Sequence, residues 1–336
     1  MRFRSLTPAV VMCGAAFISP FVSIAYAATT ATTPDASVTY PSHSIKLIVP
    51  YGTGGGSDIL ARQISARLLQ RWSQAVVVDN RAGASGNIGT EAVVHAAADG
   101  YTLLLQNSTM VVNPAVNGKL NYDPEKDLTP IMLLGLTPIA LVSSEASKIH
   151  TLKELVDYSK ANPKALSYAS CGIGTPQHFV MELIKQKTQV AATHIGYKGC
   201  APALVDVLGG QVQLAVLSAN LAAPHIKSGK LNGVGVSTAV RYTLMPQLAS
   251  FEEQGLKPLD FSIWYALMGP AKMPADVVRK IFLEVQKILA EPAVIEHLVG
   301  AGIEPMHGNG EDLAKLIKTD LLRYAQLAKS AHIKAD

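Results

Sequence analysis

Charged and aromatic side chains are scarce in this 336-residue chain, at 16% and 6%. The charges form no run of one sign, and no aromatics interleave with basic residues, so nothing points to a nucleic-acid partner. The glycine loop after the first apolar strand lacks the lysine of G-x-x-x-x-G-K-[ST], which argues against nucleotide hydrolysis. Gly52 and Gly54 begin a G-x-G-x-x-G, but Ser57 holds its sixth position. With Asp79 at the end of the second strand, that is only a partial dinucleotide fingerprint. The elbow G-x-S-x-G is missing, since "GASG" at 83–86 is one residue short of the frame. Nine histidines make no H-E-x-x-H and no Cys/His zinc spacing. The loops carry no paired carboxylates for acid–base work. The residues therefore imply no cofactor and no metal. Beyond the N-terminus no stretch approaches the ~20 apolar residues of a membrane-spanning helix.

Cysteine is also rare. One of the three, Cys13, falls in the N-terminal segment, which leaves Cys171 and Cys200. An even pair in an oxidising compartment suggests a disulfide, and two separate buried thiols are the alternative.

What is present begins with an export signal. Arg2 and Arg4 precede a mostly apolar stretch, and "AYA" at 25–27 reads as a cleavage site. Residues 1–27 are expected to be a cleaved signal peptide, which places the protein in the periplasm. An uncleaved anchor is disfavoured by Pro8 and Pro20, and a lipoprotein reading by Met12 before Cys13. Without Arg2 and Arg4 the basic residues fall from 29 to 27, against 25 acidic. Residues 28–42 read as a flexible leader. The rest, with 49% hydrophobic residues in the whole chain, suffices for one or two packed domains.

Strands and helices then alternate. "SIKLIVP", "AVVVDN" and "YTLLLQN" read as strands, separated by helices over "SDILARQISARLLQRW" and "GNIGTEAVVHAAADG", the second ending at Gly100. This is a βαβαβ unit with a parallel sheet. Pro130–Ser144 looks like an extended crossing segment. A second α/β unit follows, and Phe261–Pro270 is a second crossing segment. Two amphipathic helices close the chain. Two such units joined by crossing strands predict a two-lobed α/β protein. Its loops at the strand ends ("YGTGGGSD", "QNST", "SCGIGT", "YKGCAP") are polar and nearly uncharged.

Those loops each follow a strand and open a helix. Tight turns alone are the alternative use of such glycines, but several converging on one place favour a binding cleft. Unpaired N–H groups at helix starts hold carboxylates or phosphates without a basic side chain, and glycine lets the backbone come close. Asp58 reads first as a helix-start residue and second as a ligand contact. His178 and His194 read as satisfied structural residues.

The motifs "IKLIVPYGTGGGSDILAR", "VVVDNRAGASGNIGTEAV", "ADGYTLLL", "YDPEKDLTPI", "YKGCAPALVDVLGGQV" and "PHIKSGKL" resemble, in combination and order, the Bug-type extracytoplasmic receptors. These are the solute-binding proteins of tripartite tricarboxylate transporters. The resemblance covers essentially the whole mature chain. It implies a type II periplasmic-binding-protein fold, each lobe a mainly parallel sheet flanked by helices, with lobe 1 over 43–142 and 264–336 and lobe 2 over 143–263. It implies a monomer that captures a small carboxylate, performs no reaction, and delivers its ligand to large and small integral membrane subunits. The ligand site implied is Tyr51, Gly54, Gly55, Gly56, Ser57 and Asp58 with Asn107, Ser108 and Thr109 from the first lobe. Ser170, Gly174, Thr175 and Gln177, then Lys198, Gly199, Cys200 and Ala201, come from the second. Tyr51, Gln106, Met110, Trp264 and Tyr265 are further candidates for shape selection. Leu217 stands where relatives commonly carry an acid, which argues against a cationic or amino-acid ligand. The mapping puts Cys171 and Cys200 on one cleft wall, so a disulfide closing a loop of roughly 29 residues is expected. The crossing segments are the hinge candidates. A receptor feeding a sensor kinase, or an exported hydrolase using Ser57 or Ser108, are the alternatives.

Overall fold

The structure, a computed structural model, describes residues 40–118, 120–162 and 165–333. The expected signal peptide and nearly all of the leader lie outside the described residues. Tyr40, at the leader's end, packs on Trp72 and Tyr101 and donates from Oη to the Gly100 carbonyl at 2.8 Å.

In chain order the elements are β1 (Ile45–Val49), α1 (Gly56–Trp72), β2 (Val76–Asn80), α2 (Asn87–Val94), β3 (Thr102–Asn107), α3 (Thr109–Asn117) and β4 (Leu128–Ser144). Then come α4 (Leu152–Ala161), β5 (Ser167–Ser170), α5 (Pro176–Thr188), β6 (Thr193–Gly196), α6 (Cys200–Leu208), β7 (Leu214–Ser218), α7 (Ala219–Lys227) and β8 (Leu231–Val236). The chain closes with β9 (Ser262–Pro270), α8 (Ala275–Leu289), α9 (Pro292–Gly300), β10 (Glu304–Asn309) and α10 (Gly310–Ala331). The helix expected to reach Gly100 ends at Val94, where His95 leaves helical geometry. Reading the sequence alone misses α3, α9 and β10.

One sheet has two sectors that share β4. In the first, β1 pairs in parallel with β2 and β3, and β9 lies antiparallel between β3 and β4. In the second, β5 pairs in parallel with β6 and β7. The long strand β4 serves both. Its residues 128–138 pair with β9 and β10, and residues 139–144 pair with β7 and β8. The central parallel strands β1, β3 and β7 are near-continuous apolar runs because both faces are covered, whereas the edge strands β2 and β6 are partly exposed.

Alternation along each strand sorts side chains into three cores. Ile45, Leu47 and Val49 of β1 face α1, α8 and α9, as do Leu103 and Leu105 of β3. Ile48, Leu104, Leu141 and Val216 point the other way, into a core shared by both sectors and closed by α3, α5 and α10. Ala140, Val142, Ala215 and Leu217 face α6 and α7. The last helix shows why these elements form. Leu313, Ile317, Tyr324 and Ala328 make a buried stripe at helical spacing, and each large apolar side chain contributes about 1.5–3 kcal/mol on burial. Asn309 caps α10 by accepting from the N–H groups of Glu311 and Asp312, and Asp312 accepts from the Asn309 N–H in return.

Candidate functional site

The parallel strands of both sectors end at one cleft, and the loops there carry the glycines singled out above. A cavity of about 230 Å³ lies between them. Tyr51, Gly55, Gly56, Ser57, Asn107 and Thr109 line it from the first sector, Cys171, Thr175, Pro176 and Gln177 from the second, and Ile263 and Tyr265 from β9. Among the described residues, none with a charged side chain lines it. Three helix starts meet here. Gly55 before α1 has no side chain to cap with, so the first-turn N–H groups of α1 lack a capping partner, and at α3 Ser108 makes no capping bond while Asn107 takes the Thr109 N–H. Thr175 precedes α5, and Pro176 fills its first position, where a missing N–H costs nothing.

Neutral side chains support this wall. Tyr51 Oη donates to Gln106 Oε1 at 2.6 Å and lies 3.0 Å from Asn107 Oδ1. Gln106 Nε2 in turn donates to Thr90 Oγ1 at 2.7 Å. Asn107 Oδ1 accepts from the Thr109 N–H at 2.9 Å, which leaves its amide nitrogen toward Ser57 Oγ at 3.5 Å. Burial pushes the hydroxyls of Tyr51 and Tyr265 well above the ordinary tyrosine range, so both stay protonated donors. Tyr265 Oη is 3.3 Å from Thr137 Oγ1, and it approaches the α1 backbone so closely that a methyl group at Gly56 would run into it. Gly56 is therefore required where it stands.

Other expected contacts stand behind the wall. Asp58 is buried, and its carboxylate accepts from Gly54 N–H at 2.9 Å, Arg62 Nε at 2.9 Å and Asn80 Nδ2 at 3.0 Å. Hydrogen bonds from Arg62, Gly54 and Asn80 outweigh its burial and hold it below the usual carboxylate range. It shapes the glycine loop. Ser108 is fully buried, and its Oγ has no partner. Ser170 is fully buried, with Oγ 2.7 Å from His194 Nε2. The Gly174 N–H is taken by His178 Nδ1 at 3.2 Å. Lys198 and Ala201 are exposed and Gly199 is half-buried, outside the lining. Cys200 opens α6 and is bonded to Cys171, so the expected disulfide is present and forms part of the second wall. Gln177 Nε2 lies 3.7 Å from Cys200 Sγ and 3.4 Å from Ser218 Oγ.

Of the shape-selecting candidates, Tyr51 and Tyr265 line the cavity. Gln106 sits behind Tyr51, Met110 is in the shared core, and Trp264 points away, with Nε1 donating to Asp320 Oδ2 at 2.8 Å. Ile263 and Pro176 are additions. Alternation along β9 signals Ile263, because it shares a face with Tyr265.

The chain matches the family model described as "Tripartite tricarboxylate transporter family receptor" over residues 60–333. It is 32% identical to Protein BugT of Bordetella pertussis (strain Tohama I) over 303 residues, 90% of this chain and 93% of that protein. Among solved structures, the periplasmic binding protein BugD is 31% identical with a TM-score of 0.75, covering 88% of this chain and all of that one. Rpa4515 of R. palustris, solved with adipate, is 30% identical with a TM-score of 0.79, again over 88% of this chain and 100% of that one. Two α/β sectors sharing crossing strands, with glycine loops at one cleft, are thus the fold of periplasmic binding proteins, and this chain belongs to the family of tripartite tricarboxylate transporter receptors.

Proposed function

We propose that the protein is an exported, monomeric periplasmic receptor that captures a small organic carboxylate and hands it to the large and small integral membrane subunits of a tripartite transporter. It performs no reaction. The observation that carries this reading is the lining of the cavity. Helix starts from both sectors converge on it, hydroxyl and amide donors surround it, and no charged side chain faces it among the described residues. The adipate bound to Rpa4515 supports the same class. Ligand contacts come from Tyr51, Gly55–Ser57, Asn107 and Thr109 on lobe 1, and from Thr175 and Gln177 on lobe 2. The lobes are 43–142 with 264–336, and 143–263. The crossing strands β4 and β9 act as the hinge, and the ligand stabilises the closed form by its differential affinity for that form. The serine–histidine contact at Ser170 and His194 does not favour a hydrolase, since Ser170 is fully buried.

A panel of mono-, di- and tricarboxylates tested by thermal shift on the chain from Ala28 onward checks the reading. An acid at 100 times its Kd adds about 2.7 kcal/mol, several degrees in Tm. The shift is expected with one chemical group of acids and is lost in the Ser57→Ala, Thr175→Ala double variant. No shift with any acid, and no acid released on denaturation, would overturn it.

A further inference from the structure

The two glycine loops are built alike. Gly54 (φ +82°) donates its N–H to Asp58 Oδ2 at 2.9 Å, and Gly174 (φ +69°) donates its N–H to His178 Nδ1 at 3.2 Å. Each glycine lies two residues before its helix, and each acceptor is the helix's third residue. The same ring of hydrogen-bonded atoms therefore sets the curvature of both walls. The acceptor is a carboxylate in the first loop and an imidazole in the second.

Accepting at Nδ1 requires a lone pair there, so His178 is neutral with its proton on Nε2. Its surroundings enforce that form. The residue is 6% exposed, its ring stacks on His194 at 3.8 Å between centroids, and His194 stacks on Tyr168 at 4.8 Å. The one acid facing it, Glu182, has Oε1 4.0 Å from His178 Nε2. That oxygen is already held by Tyr168 Oη at 2.6 Å and Lys185 Nζ at 2.7 Å. Burial, then the neighbouring His194 and Lys185, holds the imidazole down to about 3. The charge difference between the two acceptors matters at the pocket. A carboxylate at the third position of a helix offsets part of the helix's positive end, whereas a neutral acceptor leaves it available to an incoming anion.

We propose, on the basis of the carboxylate-receptor reading, that His178 is the positioning residue of the second wall. As a neutral acceptor it shapes the Cys171–Gln177 loop without adding negative charge to the start of α5, where Thr175 Oγ1 accepts from the His178 N–H at 3.4 Å and Pro176 has no N–H, so the helix's positive end stays uncompensated for the ligand's anionic group.

Three substitutions separate shape from charge. Asn at 178 places a neutral oxygen where Nδ1 stands, Gln places one nearer Nε2, and Asp restores the first loop's own device with its charge. Amide hydrogen exchange across 171–177 in ligand-free protein reads shape, and calorimetry with adipate as probe reads charge. His178→Asn is expected to exchange as the unsubstituted protein does, and His178→Gln at least about tenfold faster. His178→Asp is expected to keep slow exchange and to bind adipate at least about fivefold more weakly than His178→Asn. Equal exchange in the Asn and Gln variants, or equal adipate affinity in the Asn and Asp variants, overturns the proposal. Where the unsubstituted protein does not bind adipate, the acid with the largest thermal shift in the panel serves as probe; failure with every acid counts against the carboxylate reading instead, and the exchange rates still decide whether His178 shapes the loop.

Discussion

At the scale of single residues, two buried imidazoles stand where a pH change is felt first. His178 is held down to about 3 and His194 to about 4, in both cases chiefly by burial, against an ordinary value near 6.5. Below pH 6.5 the unfolded chain takes up protons that the folded chain refuses. Stability therefore falls as pH drops from about 6.5 toward 4, by up to about 1.4 kcal/mol per pH unit for each histidine, and is unaffected by them above about 7. Carboxylates held low by hydrogen bonds, such as Asp58 and Glu291, lose stability only below their own ordinary range near 4, whereas burial raises Asp260 and Asp320, whose protonation favours the folded form as pH falls, so within the window from about 6.5 to 4.5 comparison with a histidine variant isolates the imidazole's share. Urea midpoints measured across that window are expected to fall, and the slope is expected to flatten in His178→Asn. The loops were legible in the sequence because glycine after a strand and before a helix has few other uses. Which polar residue of a loop faces the cavity was not legible. Asp58, Ser170 and Gly174 share their loops with true lining residues, and only the fold shows that their polar atoms are satisfied from behind.

At the scale of elements, α10 ties the sectors together. Its Asp320 is buried, accepts from Trp264 Nε1 at 2.8 Å, and pairs with Arg323 at 2.7 Å. The Arg323 guanidinium lies 3.8 Å from the centre of the Phe261 ring, and Tyr324 meets Phe179 and Phe261 edge-on. Removing the acid strands the buried indole N–H, while Arg323, about a third exposed, keeps its bond to the Asp260 carbonyl at 2.7 Å. Asp320→Ala is expected to cost about 1–3 kcal/mol in urea denaturation while the far-UV spectrum of the folded form is kept. The stripe on α10 was plain in the sequence, as were β1, α1 and β9. Two of the three missed elements break a local rule. Pro114 lies inside α3, and "EPMHGN" of β10 contains proline and glycine and survives as a strand only because β4 offers it an edge.

At the scale of the whole molecule, the disulfide joins the cavity wall at Cys171 to the start of α6 across 29 positions of sequence. The chain-entropy estimate for such a loop is about 3–4 kcal/mol. The double variant Cys171→Ser, Cys200→Ser is expected to melt several degrees lower, and a reductant is expected to lower the Tm of the unsubstituted protein and not that of the variant. The two-sector plan was readable from alternating strand and helix patterns. The double use of β4 was not, because an apolar run names a buried strand without naming its neighbours.

The order of β9 in the sheet differs from its order in the chain. It fills the gap between β3 and β4, yet it is synthesised after the entire second sector. Until Ser262 and the residues beyond it are available, the inner edges of β3 and β4 have no partner in the first sector, and β10 and α10 come later still. The first sector therefore cannot be completed strand by strand in chain order; its completion waits for the last quarter of the polypeptide. A nascent chain of this design stays open and threadable until it is almost finished, and a prematurely terminated one carries two apolar edges that invite self-association.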